Sequence, residues 1–474
     1  MLKQKLKVII VFSVACLLVF SSTACTKGSS STALKAYKPV TLVWWRVWDD
    51  GDAFDELITA YRKQHPNVNV EYKKLRYDEY ERELIDALAE DRGPDIFSIH
   101  NTWTQRYKAK LLPLPTKTTL PIKYLKGTVK KEEVVELISK KALTPAQIRK
   151  KFLDPVAEDV VMLDNVGTED KPKYQEKVWA LPVSLDTLAL YYNKDILSNA
   201  GVIEPPQTWT EFQEQVKEIT KIDETTGNIQ IAGAAIGTAD NVVRNFDILS
   251  LLMMQNMTPM IDDKGDVVFN KIPTGLADLE YPPGQGALEY YTQFASPLYE
   301  GYTWNDKMPD SLTAFIQGKV GYFFGYPYHR ETIVAQAPKL NFDVAGMPQV
   351  GENQKVNYAN YWVEGVSKKT KVKDYAWDFV QFITDEANVE MYLNYTKKPT
   401  ALRSTKIINN QLANEELTVF ADQLLTAKSW YHGYNSTAAE EAFAEMINAV
   451  LSGEVISRKA LMQAVEKVNY SIYK

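Results

Sequence analysis

Two cysteines and four histidines in 474 residues leave little room for several kinds of chemistry. Cys16 sits inside an apolar run near the N-terminus and Cys25 just beyond it, so a processed chain keeps one thiol and holds no internal disulfide. No two histidines share a ligand-like spacing, which argues against a zinc or iron centre and leaves the chain without an expected metal or cofactor. The GxSxG, HExxH and phosphate-loop patterns are absent too. Positive charge is in deficit: 54 Lys and Arg against 60 Asp and Glu give −6, and −9 without the first 24 residues. A surface of that sign disfavours nucleic acid as a partner. The longest apolar run, Val8–Phe20, is shorter than the roughly 20 residues of a membrane-spanning helix. No internal repeat occurs.

What the N-terminus has is an export pattern: lysines at 3, 5 and 7, the apolar run, then small residues Ser21 to Ala24 before Cys25. Residues 1–24 are therefore expected to be a signal peptide. Ser-Thr-Ala-Cys resembles a bacterial lipoprotein box, which implies a lipidated Cys25 at the mature N-terminus, although Ser22 stands where that pattern usually has leucine. Plain secretion with a free thiol is the alternative. Residues 25–37 read as a polar, flexible tether.

The chain is too long for one ordinary core, so at least two domains are expected. Strand and helix patterns alternate: Val40–Val47 as a strand, a helix over Phe54, Leu57, Ile58 and Tyr61 capped by Asp52, then Val68–Tyr72, a helix face of Tyr80, Leu84, Ile85 and Leu88, and Asp95–Ile99. Between residues 116 and 177 lies an insertion with two short amphipathic helical patterns, about Glu132–Lys141 and Pro145–Phe152. The organising stretch is Val178–Asn193, a strand entering at Pro182 followed by a nearly all-apolar one from Leu185 to Tyr192, with Asp186 as its polar residue. A strand apolar on both faces is covered on both faces. Asn193 can cap the helix Lys194–Asn199, and Gly201 can end it. Further on come a capping box at Thr208–Glu211, a buried helix over Asn241–Gln255, a strand over Tyr358–Ser367 and three late helical patterns about Gln411–Ala427, Thr437–Leu451 and Ile456–Val468.

The run from Ala180 to Phe212, Ala-Leu-Pro-Val-Ser-Leu-Asp-Thr-Leu-Ala-Leu-Tyr-Tyr-Asn-Lys-Asp and onward to Thr208-Trp-Thr-Glu-Phe212, resembles the bacterial extracellular solute-binding proteins, family 1, the group that includes the maltose-binding protein. Gly93-Pro-Asp-Ile96, Phe315-Ile-Gln-Gly-Lys-Val-Gly-Tyr-Phe-Phe-Gly-Tyr-Pro-Tyr-His329 and the helix pair from Ala376 extend the likeness over nearly the whole chain from Val40. It implies an α/β, two-lobed periplasmic-binding-protein-like (type II) fold, with hinge-connected lobes and a ligand cleft between them. The expected division is 38–184 plus 362–403 for one lobe and 185–361 plus 404–474 for the other.

Sugars present C–H patches and hydroxyls, so their sites need aromatic faces and planar polar groups. Aromatic residues gather at the expected strand ends: Trp45, Trp48, Trp103, Tyr326, Tyr328, Tyr361, Trp362, Trp430 and Tyr431, interleaved with Asp49, Asp50, His100, Asn101 and Asp186. The resemblance carries ligand contact onto Asp49, Asn101, Asp186, Tyr326 and Trp430. Duller readings stand beside these: Trp45 as strand core, Asp49 and Asp50 as charges facing a helix N-terminus, Trp430 as a lid over the core. Asp186 is the most pointed, since an unpaired carboxylate in an apolar strand is costly.

By this reading the chain is the monomeric, non-enzymatic, extracytoplasmic binding subunit of an ABC importer, anchored to the cell membrane by its lipid. It takes a sugar or oligosaccharide by lobe closure and delivers it to a membrane permease. A binder of a peptide, polyamine or other solute is the alternative, and a secreted glycoside hydrolase using Asp49 and Asp186 is a third reading.

Overall fold

The computed structural model describes residues 29–351 and 354–473, so the expected signal peptide, both cysteines and the first residues of the expected tether lie outside the described residues. Cα proximity divides it into two units, a small one of residues 29–38 with Pro121–Ile138 and a large one holding the remainder.

Two five-stranded sheets organise the large unit. In the first, Val40–Arg46 runs parallel to Val68–Lys74 on one side and Ile96–His100 on the other, and Trp362–Val366 then pairs antiparallel with both Ile96–His100 and Ala180–Pro182. In the second, Val320–Gly325 lies between the parallel Ile229–Ala234 and the antiparallel Ala189–Asn193, which in turn borders Phe342–Ala345. The central strands Ile96–His100 and Val320–Gly325 are apolar over most of their length and buried on both faces, as helices on either side of a sheet require.

A third, three-stranded sheet joins these two halves: Asn357–Asn360 sits between the antiparallel Asp186–Thr187 and the parallel Ala427–Lys428. Asp186 is registered opposite Asn360. The chain leaves the first sheet at Pro182 and enters the second at Ala189, and it leaves the joining sheet at Asn360 to re-enter the first at Trp362. Those short segments are the hinge. The expected single strand over Tyr358–Ser367 is thus two strands in two sheets, broken at Tyr361.

Local signals hold at several ends. Asn193 Oδ1 accepts from the N–H groups of Asp195 and Ile196, Gly201 adopts φ +81°, and Thr208 with Glu211 forms the reciprocal capping box. Others differ. Glu132–Lys141 is a strand of a hairpin with Lys117–Lys126, because Val134, Val135 and Ile138 favour extended backbone and a partner strand is present. Asp52 lies in a 3₁₀ turn, Gly51–Phe54, so the α-helix starts only at Asp55. The buried helix begins at Asn245 because Arg244, at φ +65°, is left-handed. Of the late patterns, the first is two helices, Thr405–Leu412 and Thr418–Gln423, while Ser436–Leu451 and Ser457–Tyr473 pack through Phe443, Ile447, Leu461 and Val468 into the second sheet's core. Among the described residues no helix is long and apolar enough to cross a membrane.

Candidate ligand cleft

A cleft of about 1020 Å³ is lined from both halves of the large unit and from the hinge. Its floor begins where the strand Val40–Arg46 ends. Asp49 there takes φ +67°, a conformation that aspartate tolerates better than most side chains, and three partners secure it: Lys398 Nζ at 2.6 Å, Tyr392 OH at 2.9 Å and Arg46 Nη2 at 3.4 Å. Burial pushes the Asp49 carboxyl up, but the Lys398 and Arg46 cations outweigh it and hold the group below the usual carboxylate range. Arg46 is in turn held by Glu364 at 2.9 Å, which also accepts from Trp44 Nε1 at 2.6 Å and from Ser98 Oγ at 2.9 Å.

His100 closes the strand Ile96–His100, and Trp103 lies in the turn just past it. Burial, then the charge of Arg244, draws the His100 imidazole down to about 4, so it is neutral at pH 7 and able to accept as well as donate. At the hinge, burial pushes the Asp186 carboxyl up to about 6 against the pull of Lys398, and its Oδ1 has no hydrogen-bond partner among the described residues. A buried acceptor in a cleft wall without a partner is a place for a ligand's donor.

Aromatic rings form one continuous wall. Trp48 stacks on Tyr77 at 5.7 Å between centroids and on Tyr328 at 5.8 Å, the second contact crossing between the halves. Trp362 meets Trp48, Tyr77, His100 and Trp103 edge-on. Edge-to-face and offset packing of this kind fixes ring orientation and adds about 0.5–1.5 kcal/mol per pair beyond burial.

Of the residues singled out in the sequence, the cleft brings together Trp48, Asp49, Asp50, His100, Trp103, Asp186, Tyr328, Tyr361 and Trp362. Asp50 is exposed and paired with Lys74 at 3.0 Å, and the Tyr361 hydroxyl is committed to Asp159. Five residues lie off the wall, correcting their expected placement. Trp45 is packed in the first sheet under the Lys73 ammonium, as a strand tryptophan's apolar bulk favours. Asn101 is buried and donates to Asp159 at 3.0 Å. Tyr326 is buried with its hydroxyl donating to Asp247 at 2.6 Å. Trp430 stacks on Phe246 and donates to Ser250 Oγ at 3.0 Å, and Tyr431 donates to the Ser471 carbonyl at 2.9 Å. Tyr326, Trp430 and Tyr431 have thus spent their polar atoms inside the protein, and Asn101 its amide N–H, while Asn101 Oδ1 has no hydrogen-bond partner among the described residues.

The sequence reading passed over Arg46, Tyr77, Ser184, Arg244 and Lys398, all on the cleft wall. Arg46 was masked by the apolar strand it ends, and Arg244 by the helix pattern it interrupts. Lys398 carried no signal, since a lysine after a helix is ordinarily solvated.

Two α/β halves joined by short hinge strands, with a ring-lined cleft between them, define the type II periplasmic-binding-protein-like fold. Solved structures of the same fold include the cyclic alpha-maltosyl-1,6-maltose binding protein from Arthrobacter globiformis, with TM-score 0.66 and 19% identity over 92% of this chain and 99% of that one. The GacH receptor of Streptomyces glaucescens, determined unliganded and with acarbose, gives 0.65 and 19% over 92% and 99%. The bacterial extracellular solute-binding protein family matches residues 47–390, and the chain belongs to that family. Relatives include the diacetylchitobiose binding protein of Streptomyces coelicolor, 24% identical across 72% of this chain and 68% of its own. The maltodextrin-binding protein of Bacillus subtilis is 24% identical across 53% and 56%.

Proposed function

We propose that this protein is the extracytoplasmic binding subunit of an ABC importer, that its solute is a sugar or oligosaccharide, and that Cys25 carries a lipid anchor. The carrying observation is the meeting of a ring wall with an unpartnered carboxylate oxygen: Trp48, Tyr77, Trp103, Tyr328 and Trp362 offer faces and edges for sugar C–H groups, and Asp186 Oδ1 offers an acceptor for a hydroxyl. Ligands of the relatives named above agree with that chemistry. Because Trp48 and Tyr328 come from opposite halves, a solute touching both favours the closed arrangement by its differential affinity, and the closed form is what a permease would recognise. Asp49, held ionised by two cations, is poorly suited to act as the general acid of a glycosidase.

A thermal-shift panel of saccharides, polyamines and short peptides tests the reading. A ligand at 100 times its dissociation constant adds about 2.7 kcal/mol. Stabilisation by saccharides alone is expected; stabilisation by polyamines or peptides and by no saccharide would reject the sugar, and release of shorter products from an oligosaccharide would reject the non-enzymatic reading.

A further inference from the structure

The small unit has a character of its own. Its 28 residues, 29–38 and Pro121–Ile138, hold six lysines against three glutamates, a net +3 within a chain of net −6. The hairpin tip and the short helix Ser31–Ala36 also expose apolar side chains: Leu34, Leu125, Leu137, Ile138 and above all Val129, which is 99% exposed beside the turn at Gly127. Single exposed apolar residues are ordinary, but Leu125 and Val129 flank the lysine-rich turn of the hairpin, whereas Leu137 and Ile138, as successive strand residues, point to opposite faces. The unit's own buried residues, Ala33, Pro121, Val134 and Val135, are few, and Ser29 Oγ accepts from the Val135 N–H at 2.6 Å, which fixes the start of the described chain on the hairpin.

Ser29 is four residues from Cys25 in sequence, a span of at most about 14 Å. Lipid attached at Cys25 therefore holds this unit at the bilayer surface. We propose that the unit is a membrane-contacting foot, with Val129 and Leu125 at the hairpin tip entering the headgroup layer and the unit's lysines lying against anionic lipid. This rests on the reading of Cys25 as a lipid anchor. Lys123, Lys126 and Lys130 are paired with Glu133, Glu136 and Glu132, but exposed pairs of this kind contribute little and their long stems can turn toward phosphate. Lys35 and Lys131 make no salt bridge among the described residues. A lipid chain reinforced by a basic, partly apolar patch is a stronger attachment than the chain alone.

The test uses the chain from Thr26 onward, which keeps every described residue and lacks leader and cysteine. Binding to vesicles of phosphatidylglycerol and phosphatidylcholine is compared with binding to phosphatidylcholine alone. The expected result is a several-fold preference for the anionic vesicles that weakens with salt, a loss of about tenfold in Leu125→Asp/Val129→Asp, and a smaller loss in Lys35→Gln/Lys131→Gln, with solute affinity unchanged in both. The lysine variant alters only exposed side chains, so the proposal stays testable if the first variant misfolds. No preference for anionic vesicles, or unchanged binding in the variants, overturns it; unchanged vesicle binding with impaired solute uptake in cells assigns the surface to a protein partner and overturns it too. Palmitate labelling of the wild-type chain separates the two readings. Label without vesicle preference defeats the foot alone, and vesicle preference without label defeats the anchor alone.

Discussion

Asp186 is a side chain whose buried, unpartnered carboxylate oxygen costs the fold stability. Its carboxyl is raised from 3.8 to about 6 chiefly by burial, so the folded protein binds a proton more tightly than the unfolded chain does. The sign follows: between pH 4 and 6 the folded state holds the extra proton, stability falls as pH rises through that window, and the cost is complete above pH 6. Asp186→Asn should therefore raise the melting temperature of the unliganded protein at pH 7.5, by an amount reflecting up to about 3 kcal/mol, with the gain vanishing near pH 4. The same substitution should weaken solute binding by about tenfold or more, since an amide cannot reproduce a charged acceptor. Melting curves and titration calorimetry across that pH range check both halves; a variant destabilised at pH 7.5 would show that the carboxylate has a partner after all.

Among elements, the hinge depends on a residue from the insertion. Asp159 is buried at the end of the helix Asp154–Val160 and is approached by Asn101 Nδ2 and Ser429 Oγ at 3.0 Å, His432 Nδ1 at 3.0 Å and the Tyr361 hydroxyl. These four come from the loop after the third strand of the first sheet, the segment after Lys428, and the break between the two return strands. Replacing Asp159 by Ala leaves them without an acceptor and should destabilise the protein by roughly 3–5 kcal/mol, read by denaturant unfolding with solute absent. Glu364→Gln should cost a similar amount, because Arg46 would keep its buried charge and lose its principal counter-charge. The sequence made the strands of both sheets legible because burial on two faces writes apolar runs, and it made Asn193, Gly201 and Thr208 legible because capping is local. It did not make Asp159, Arg46 or Lys398 legible, because their roles come from partners up to 349 residues away. The hairpin strand Glu132–Lys141 was missed for the same reason, as its pairing partner outweighs the helical spacing of its own apolar residues. Of the candidate site, the rings and acids near the first strand end and the hinge were visible as clusters. Tyr326, Trp430 and Tyr431 looked equivalent to them in composition, and only packing separates a ring facing a cleft from one facing a core.

At the scale of the whole molecule, two buried histidines oppose Asp186 in the response to acid. His100 is held near 4 and His329 near 3, both first by burial and then by the charge of Arg244. A histidine whose folded pKa lies below its unfolded 6.5 is protonated preferentially in the unfolded chain, so its stabilising contribution is full above pH 6.5 and is lost progressively as pH falls toward 4 and then 3. Burial also raises the carboxyls of Glu158, Glu364 and Glu440, which act in the same sense as Asp186, as does His432, whose burial is outweighed by Asp159. The histidine contribution is therefore read from a variant, and the stability of His329→Phe relative to the wild type should rise as pH falls below 6.5. The cross-half stack adds a conformational reading to the same measurement. Arg244 sits in the cleft with its guanidinium paired to Asp247 and placed over the Tyr326 ring, and it is the cation that suppresses His100 from the facing half. Opening the halves would carry Arg244 away from His100 and let its pKa rise. Tyr328→Ala removes the ring that meets Trp48 and should shift the population toward the open form. The expected outcome is a His100 pKa above the wild-type value, read by NMR titration of the imidazole, together with at least tenfold weaker solute binding and a red-shifted Trp48 emission. A His100 pKa unchanged in that variant would mean that the rings on either side of the cleft do not hold the halves together.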